Sequence, residues 1–372
     1  MNKYVIHLMS MFLFILAALV VPHSIMASTV GSCQPGSYPT ISAAVAAATP
    51  GTIIKVCPGT YPEQVVIATS LTLEGIQGGN ADRAIITVPG SGFSTVVTTP
   101  VFGTTVTPQV LVTVPGVNIS NITVDGTGAS ISTGFFAGIF YESGASGIVK
   151  GVTTRNQTGS FNGVGIWAEN GNPNSESVTI ENSSVHDVND LGIFVASTQI
   201  PPSLTATILK NDVASSNSSI FNYNANATIT SNVVDGGNYG ILMYPNAVGS
   251  IISNTVVNTM IYGIYDAAQT SHSIKSNLIW NSTDVGIAMI SPTNATIELN
   301  TITKAPVGIE FNCSPGPNTV KSNNISDVTT GLDQVPVSVG SLVDVYNNVD
   351  TIRTGGCGFA RTTALPSPLY RN

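Results

Sequence analysis

The sequence predicts an all-β fold, a single-stranded right-handed parallel β-helix of about a dozen coils of ~22–30 residues behind a short N-terminal capping helix. The first observation is a recurring asparagine. Asn232, Asn254, Asn277, Asn300, Asn323 and Asn347 follow one another at intervals of 22, 23, 23, 23 and 24 residues. The second is a glycine followed by an apolar residue, in phase with the first, at Gly240-Ile241, Gly263-Ile264, Gly286-Ile287, Gly308-Ile309 and Gly331-Leu332. The third is that each period divides into short β-branched stretches with turn residues between them and no helical pattern. In the coil beginning at Ala227 these stretches lie around Ile229, around Val233-Val234, and from Gly240 to Met243. Strands repeated at this period without intervening helices can stack only as parallel coils, with a rise of about 4.8 Å per coil.

The elements follow in order. Residues 1–28 read as a secretory signal peptide: Lys3 precedes an apolar run from Leu8 to Val21, Pro22 ends it, and Ile25-Met26-Ala27 offers a cleavage site. The run is shorter than the ~20 residues of a spanning helix, so the chain has no membrane span after signal removal and is expected to be secreted, periplasmic or at the cell surface. Residues 29–52 form an N-terminal cap. Within it Ile41, Ala44, Val45 and Ala48 give a helical apolar face behind Thr40 as N-cap, and Pro50-Gly51 stops the helix. The β-helix is expected over 53–350, with a tail over 351–372. Upstream of the regular coils, Asn121, Gly151, Asn182, Asn211 and Asn232 are spaced by 30, 31, 29 and 21 residues. The extra residues must bulge as loops, which places the irregular coils, and the natural location for a site, between about 118 and 224. An inward asparagine column at a bend would satisfy polar groups otherwise buried unpaired, so its expected role is structural.

Composition narrows the partners. Only 9% of residues are charged, against ~25% typically. The net charge of −8, from 12 basic and 20 acidic residues, with no basic run, argues against nucleic acid. No cofactor motif is evident, no metal-ligand set stands out, and a Ca2+ bridging to an acidic polymer is compatible with the composition. Four cysteines in an exported chain suggest two disulfides. Cys33–Cys57 would tie the cap to the first strand. Cys313–Cys357 needs the tail to fold back, because positions nearly two coils apart sit ~10 Å from each other, beyond disulfide reach.

Tyr-Pro-Thr-Ile-Ser-Ala-Ala-Val at 38–45, Pro-Gly-Thr-Ile-Ile-Lys-Val at 50–56, Pro-Gly-Thr-Tyr-Pro-Glu-Gln-Val at 58–65 and Leu-Thr-Leu-Glu-Gly at 71–75 resemble the opening coil of the pectin-lyase-like superfamily of right-handed parallel β-helices. The later coils resemble its NosD-type repeats. The resemblance implies the fold and, across the superfamily, pectate lyases, polygalacturonases, pectin methylesterases, alginate epimerases and surface adhesins. It does not carry a chemistry over. Gly-Thr-Tyr-Pro-Glu at 59–63 is similar to the first pectin methylesterase region, but the later aspartate and arginine motifs are missing. The paired aspartates and Gly-His-Gly of polygalacturonases and the Asp-Pro-His-Asp of alginate epimerases are absent, as are the calcium aspartates of pectate lyases. NosD is linked to copper-site assembly, yet only His186 and His272 lie beyond the leader, in separate coils.

One feature rises above scaffold. The residue after each Gly-Ile pair should point outward, and those positions read Phe140, Trp167, Phe194, Leu242, Tyr265, Ala288, Glu310 and Asp333. Glu142 and Glu169 lie two residues beyond Phe140 and Trp167. Rings edged by carboxylates suit a saccharide cleft, with Phe140, Trp167, Phe194, Glu142 and Tyr265 as its binding residues. The long loops of coils 118–224 folding over the rings, or a partner chain covering them, is the alternative. His186 and Asp187, with Glu169 and Asp190, are the candidates for acid–base catalysis, and Arg155-Asn156 for contact with a carboxylated sugar. Three readings follow: an exported protein binding or modifying extracellular polysaccharide, a non-catalytic cell-surface or adhesin-like rod, and a polysaccharide lyase or hydrolase. The sequence alone names neither the sugar nor the oligomeric state.

Overall fold

The computed structural model describes residues 27–77, 84–159, 162–215, 217–292, 294–314, 318–337, 342–345 and 352–354. Asn347, Cys357, the side chain of Cys313 and leader residues 1–26 lie outside them. Each coil of the parallel β-helix contributes strands to three faces, A, B and C, met in that order along the chain. Face A is a sheet of 13 strands, and a second sheet of 22 strands wraps around faces B and C. Among the described residues the strand pairings are parallel except between Val97–Thr98 and the start of Thr105–Val112.

The interior follows from strand periodicity. On face A, Ile180, Ile208, Ile229, Ile251 and Ile274 stack inward; on face B, Val234, Val256 and Ile279; on face C, Ile166, Ile193, Ile241, Ile264 and Ile287. All are fully buried in one continuous core. Stacking like on like keeps each layer at the same volume, so the coils superpose without strain.

The asparagine column runs along the A–B corner. Asn254 Nδ2 donates to Ile229 O (2.9 Å) and to Asn277 Oδ1 (3.0 Å), while Asn254 Oδ1 accepts from the Asn232 backbone N–H (2.9 Å) and from Asn232 Nδ2 (3.0 Å). The same pattern runs from Asn211 to Asn323. Upstream, the equivalence drawn from sequence is off by one residue. Asn121, Gly151 and Asn182 align with Lys210 and Ser231, at the left-handed corner position just before the column (φ 54, 61, 49, 55 and 58°). Asparagine and glycine are favoured there for their conformational tolerance, so the residue types coincided with the column by a different cause. Ser183 occupies the column position in its own coil and accepts from the Val152 N–H at 3.2 Å.

The glycine marker has a packing cause. A Cβ on Gly240 would lie 2.5 Å from Gly263 O, and one on Gly263 would lie 2.6 Å from Gly286 O. The row is therefore a line of backbone contact between coils, where a side chain has no room. In one coil Ser219 takes this position.

At the N-terminal end, Ala27–Val30 pairs with Thr52–Val56 and helix α1 (Ile41–Ala47) buries Ile41, Ala44 and Val45 over the open end of the core. The Thr40 side chain accepts from Ala43 N–H. The Cys33–Cys57 disulfide, with Cα atoms 5.7 Å apart, closes the cap. The Glu63 carboxylate accepts from Ile41 N–H (2.7 Å), Ser42 N–H (2.8 Å) and Ser42 Oγ (2.5 Å), and Tyr61 Oη donates to Cys57 O (2.7 Å). The Gly-Thr-Tyr-Pro-Glu stretch is thus the clasp of the cap. Glu63→Ala is expected to destabilise by about 1–3 kcal/mol, since it strands two backbone donors and a hydroxyl. Urea unfolding checks this, with Glu63→Gln losing less.

Candidate functional site

Face C carries the aromatic stripe in register across consecutive coils: Leu111, Phe140, Trp167, Phe194, Phe221, Leu242 and Tyr265. Phe221 escapes the Gly-Ile rule because its coil has Ser219 in place of glycine. The rings point away from the main core, as strand alternation requires. They do not form an open platform: Phe140, Trp167 and Phe194 are 1%, 0% and 0% exposed. The cover is a strap, residues 94–105, inserted between the strands Ala84–Thr87 of face B and Thr105–Val112 of face C. It brings apolar residues of its own, so burying them on the stripe stabilises both surfaces. Phe102 stacks on Phe135 and Phe194 with centroids 5.7 and 5.5 Å apart, and lies 6.0 Å from Trp167 and 5.7 Å from Tyr223. Val97 and Val101 pack beside it, and these contacts make a second apolar cluster outside the β-helix interior. The loop cover weighed from sequence was placed in coils 118–224, whereas Val97, Val101 and Phe102 lie upstream of them, in a loop whose lack of the coil period carries no signal of where it docks.

What reaches the surface lies at the rim. Phe102, Tyr223, Tyr244, Tyr265 and Glu142 are half-buried. Tyr223 and Tyr244 occupy the column of Glu142 and Glu169 further along the rod, with rings 6.3 Å apart. Tyr265 packs against Tyr262 and Tyr239 at 4.8 and 5.5 Å. Tyr223 and Tyr244 thus sit one column over from the predicted stripe, continuing from an acidic edge, while Tyr265 is a half-buried ring of the stripe itself.

Glu169 is 1% exposed, and its Oε2 accepts from Thr99 Oγ1 of the strap at 2.5 Å. Burial raises its carboxyl to about 8, opposed by Thr99 and the Trp167 indole and assisted by the charge of Glu142. The indole N–H lies toward the carboxyl but outside hydrogen-bond geometry. Trp167 Nε1 and Glu169 Oε1 are both buried without a partner. Glu142, one coil away, is also raised by burial. A carboxylic acid protonated at neutral pH beside a second carboxyl can donate a proton as well as accept a hydrogen bond.

The expected catalytic group does not assemble. His186 lies on the outer side of face B, in register with Arg155, whereas Glu169 is at the far end of face C, separated by about 20 Å of strand. Successive faces of a coil turn their outer sides in different directions, so residues near in sequence diverge. His186 Nδ1 is 2.7 Å from Asp187 Oδ2 in an exposed pair at a left-handed corner (φ 55° at Asp187). Asp190 is buried, accepts from Asn217 Nδ2 at 2.7 Å, and is raised to about 6 by burial. Arg155 Nε donates to Asp125 Oδ2 at 2.7 Å, which commits it within the protein. Burial opposes ionisation of Asp125, but hydrogen bonds from Thr127, Asn156 and Arg155 outweigh it and hold the group at about 2.

These features decide the fold assignment. The chain is a parallel β-helix protein. Residues 198–349 match the family model of NosD, described as a periplasmic copper-binding protein. Among solved structures the β-helix is similar to DFA-IIIase from Arthrobacter chlorophenolicus A6 without its lid (TM-score 0.59, 14% identity, covering 89% of this chain and 99% of that one). It is also similar to the A-module of the Azotobacter vinelandii mannuronan C-5 epimerase AlgE6 (0.54, 14%, 83% and 94%) and to the Dettilon tailspike protein (0.55, 14%, 82% and 61%). No curated protein matches the chain significantly.

Among the described residues the donor set does not fit copper: no group of three or more His, Cys, Asp or Glu is placed to hold a metal. Both ring nitrogens of His272 are engaged: Nδ1 donates to Asp266 Oδ2 at 2.5 Å and Nε2 faces Ala247 O at 3.0 Å. Burial disfavours a charged His272, but the Asp266 carboxylate and the Ala247 carbonyl prevail and raise its pKa. The pair clamps the loop after face C, a structural role. Cys33 and Cys57 are consumed by their disulfide. Among the described residues no helix is long and apolar enough to cross a membrane.

Proposed function

We propose that this is an exported protein that binds or modifies extracellular polysaccharide along the outer side of face C. The observation that carries the reading is the rim itself: half-buried rings of Phe102, Tyr223, Tyr244 and Tyr265 run along the rod from the acidic edge at Glu142. Rings stack on sugar faces, and carboxyls bond sugar hydroxyls. The coil rise of about 4.8 Å spaces these groups so that an extended chain along the rod meets them in succession. The disulfide supports an oxidising compartment. The fold neighbours that act on carbohydrates are in keeping with the reading.

Affinity electrophoresis against a panel of neutral and acidic polysaccharides tests it. Wild type is expected to be retarded by at least one polymer. Tyr244→Ala is expected to weaken that binding about tenfold, the equivalent of ~1.4 kcal/mol. No retardation by any polymer, with the protein held in the cell envelope, would favour the non-catalytic rod.

A further inference from the structure

The strap is joined to the β-helix in an unusual manner. Its only ladder pairing is the short antiparallel contact of Val97 with Val106 and Thr98 with Thr105, among described strands that otherwise pair in parallel. Gln64 holds its base: Oε1 accepts from Ser94 N–H (2.9 Å) and Thr95 N–H (2.8 Å), and Nε2 donates to Thr95 O (2.7 Å). Beyond that base, side chains hold the tip. Phe102 wedges among the rings, Pro100 packs on Gly171, and the Thr99 hydroxyl reaches Glu169, 70 residues away in sequence. Lifting this segment breaks little backbone pairing, and its main cost is the apolar contact of Val97, Val101 and Phe102 with the rings, which a ligand stacking on the same rings can replace.

The strap leaves the polar groups beneath it incompletely bonded. It satisfies Glu169 Oε2, while Glu169 Oε1 and Trp167 Nε1 stay buried without partners. A native interior rarely leaves a donor and an acceptor orphaned side by side.

We propose that the strap is a self-inhibiting lid, with the Thr99 hydroxyl standing in for a hydroxyl of a sugar unit. When the lid lifts, one pyranose of the bound polysaccharide takes its place against Phe140, Trp167 and Phe194. One hydroxyl replaces Thr99 on Glu169 Oε2, and a neighbouring hydroxyl bridges Trp167 Nε1–H and Glu169 Oε1. This inference rests on the reading of face C as the polysaccharide surface, and extends it from the rim to a covered subsite. Protonation modulates the latch. Glu142 is the titratable group facing Glu169 from the preceding coil. The strap presents Thr99, Pro100 and Val101, and the next coil presents Ala196, none of them charged. Ionising Glu169 beside Glu142 under an apolar cover favours lifting.

The test uses the full chain in a Trp280→Phe background, which leaves Trp167 as the single tryptophan. A Pro100→Cys/Gly171→Cys variant locks the strap. A Cβ on Gly171 would lie 3.0 Å from Pro100 Cβ, about half an ångström inside disulfide spacing. A Thr99→Val variant frees the strap without changing its bulk. Thr99→Val is expected to raise acrylamide quenching of Trp167 severalfold and to tighten polysaccharide binding. The oxidised lock is expected to abolish the rise in quenching and weaken binding at least tenfold, with recovery on reduction under conditions that leave the unlocked protein unchanged. A locked protein that binds like the unlocked one, while Tyr244→Ala still loses affinity, overturns the lid and leaves the rim intact. If no form binds any polysaccharide, the function itself fails. Equal quenching of Trp167 in the locked, unlocked and Thr99→Val proteins then overturns the lid as well.

Discussion

Asn277→Ala is expected to destabilise the protein by about 3–5 kcal/mol, among the largest effects of any single polar substitution in the rod. Its side chain makes four bonds. Nδ2 donates to Ile251 O (2.9 Å) and Asn300 Oδ1 (3.0 Å), and Oδ1 accepts from Asn254 N–H (2.9 Å) and Asn254 Nδ2 (3.0 Å). Truncation strips the Asn254 N–H and the Ile251 carbonyl of these partners at a corner where neither reaches water. Each such group costs about 1–3 kcal/mol. A matched control lies on the surface. Asn281 Nδ2 donates to Asn258 Oδ1 at 2.9 Å with the same coil spacing, but the pair is exposed. Water replaces the bond that Asn281→Ala removes, so the expected cost is the ~1–2 kcal/mol of holding Ala in the left-handed conformation (φ 63°) that Asn281 adopts. Urea unfolding of the two variants separates burial from bonding. Equal losses would refute the claim that the column matters because it is buried. Coils contact only their neighbours, so Asn277→Ala is also expected to divide unfolding into two phases, with the N-terminal coils outlasting the damaged ones.

Glu169→Gln is expected to stabilise the protein at alkaline pH while leaving it unchanged in acid. The carboxyl is raised to about 8 in the fold, chiefly by burial, from an ordinary value near 4.5. The native state therefore holds this proton more tightly than the unfolded chain. The favourable contribution is complete below about 4.5, declines as pH rises, and is gone above about 8. A shift of this size corresponds to about 3–4 kcal/mol after allowance for relaxation of the site. Gln keeps the shape and cannot ionise, so its stability should not follow this decline. The measurement is the difference in unfolding free energy between the two proteins at pH 4, 6 and 8.5. A difference that stays constant with pH would mean Glu169 does not titrate in this window.

The legible and illegible parts of this molecule differ for physical reasons. A buried amide column and a line of backbone contact each demand one residue type at each coil, so both are written in the sequence at a fixed period. The three-faced β-helix follows from them. The upstream register slipped by one residue because a left-handed corner also selects asparagine and glycine, as at Asn121, Gly151 and Asn182. Outward direction on face C was readable from alternation at Phe140, Trp167 and Phe194, but exposure was not. Exposure depended on Phe102, in a stretch without the coil period whose docking is a long-range event. His186 and Glu169 stand only 17 positions apart, yet they fall on different faces. Separation along the chain measures little in a β-helix unless it is first reduced to a position within the coil.

The amide column also governs how such a protein can change length. Each asparagine gives and receives the same bonds as the one before it, so every corner is an interchangeable joint. Deleting or duplicating a whole coil re-forms each bond between new partners. Adding a single residue at a corner breaks two joints and turns a strand inside out. The rod can therefore gain or lose length in whole coils, while the strap and the cap, made once and not repeated, stay fixed near one end.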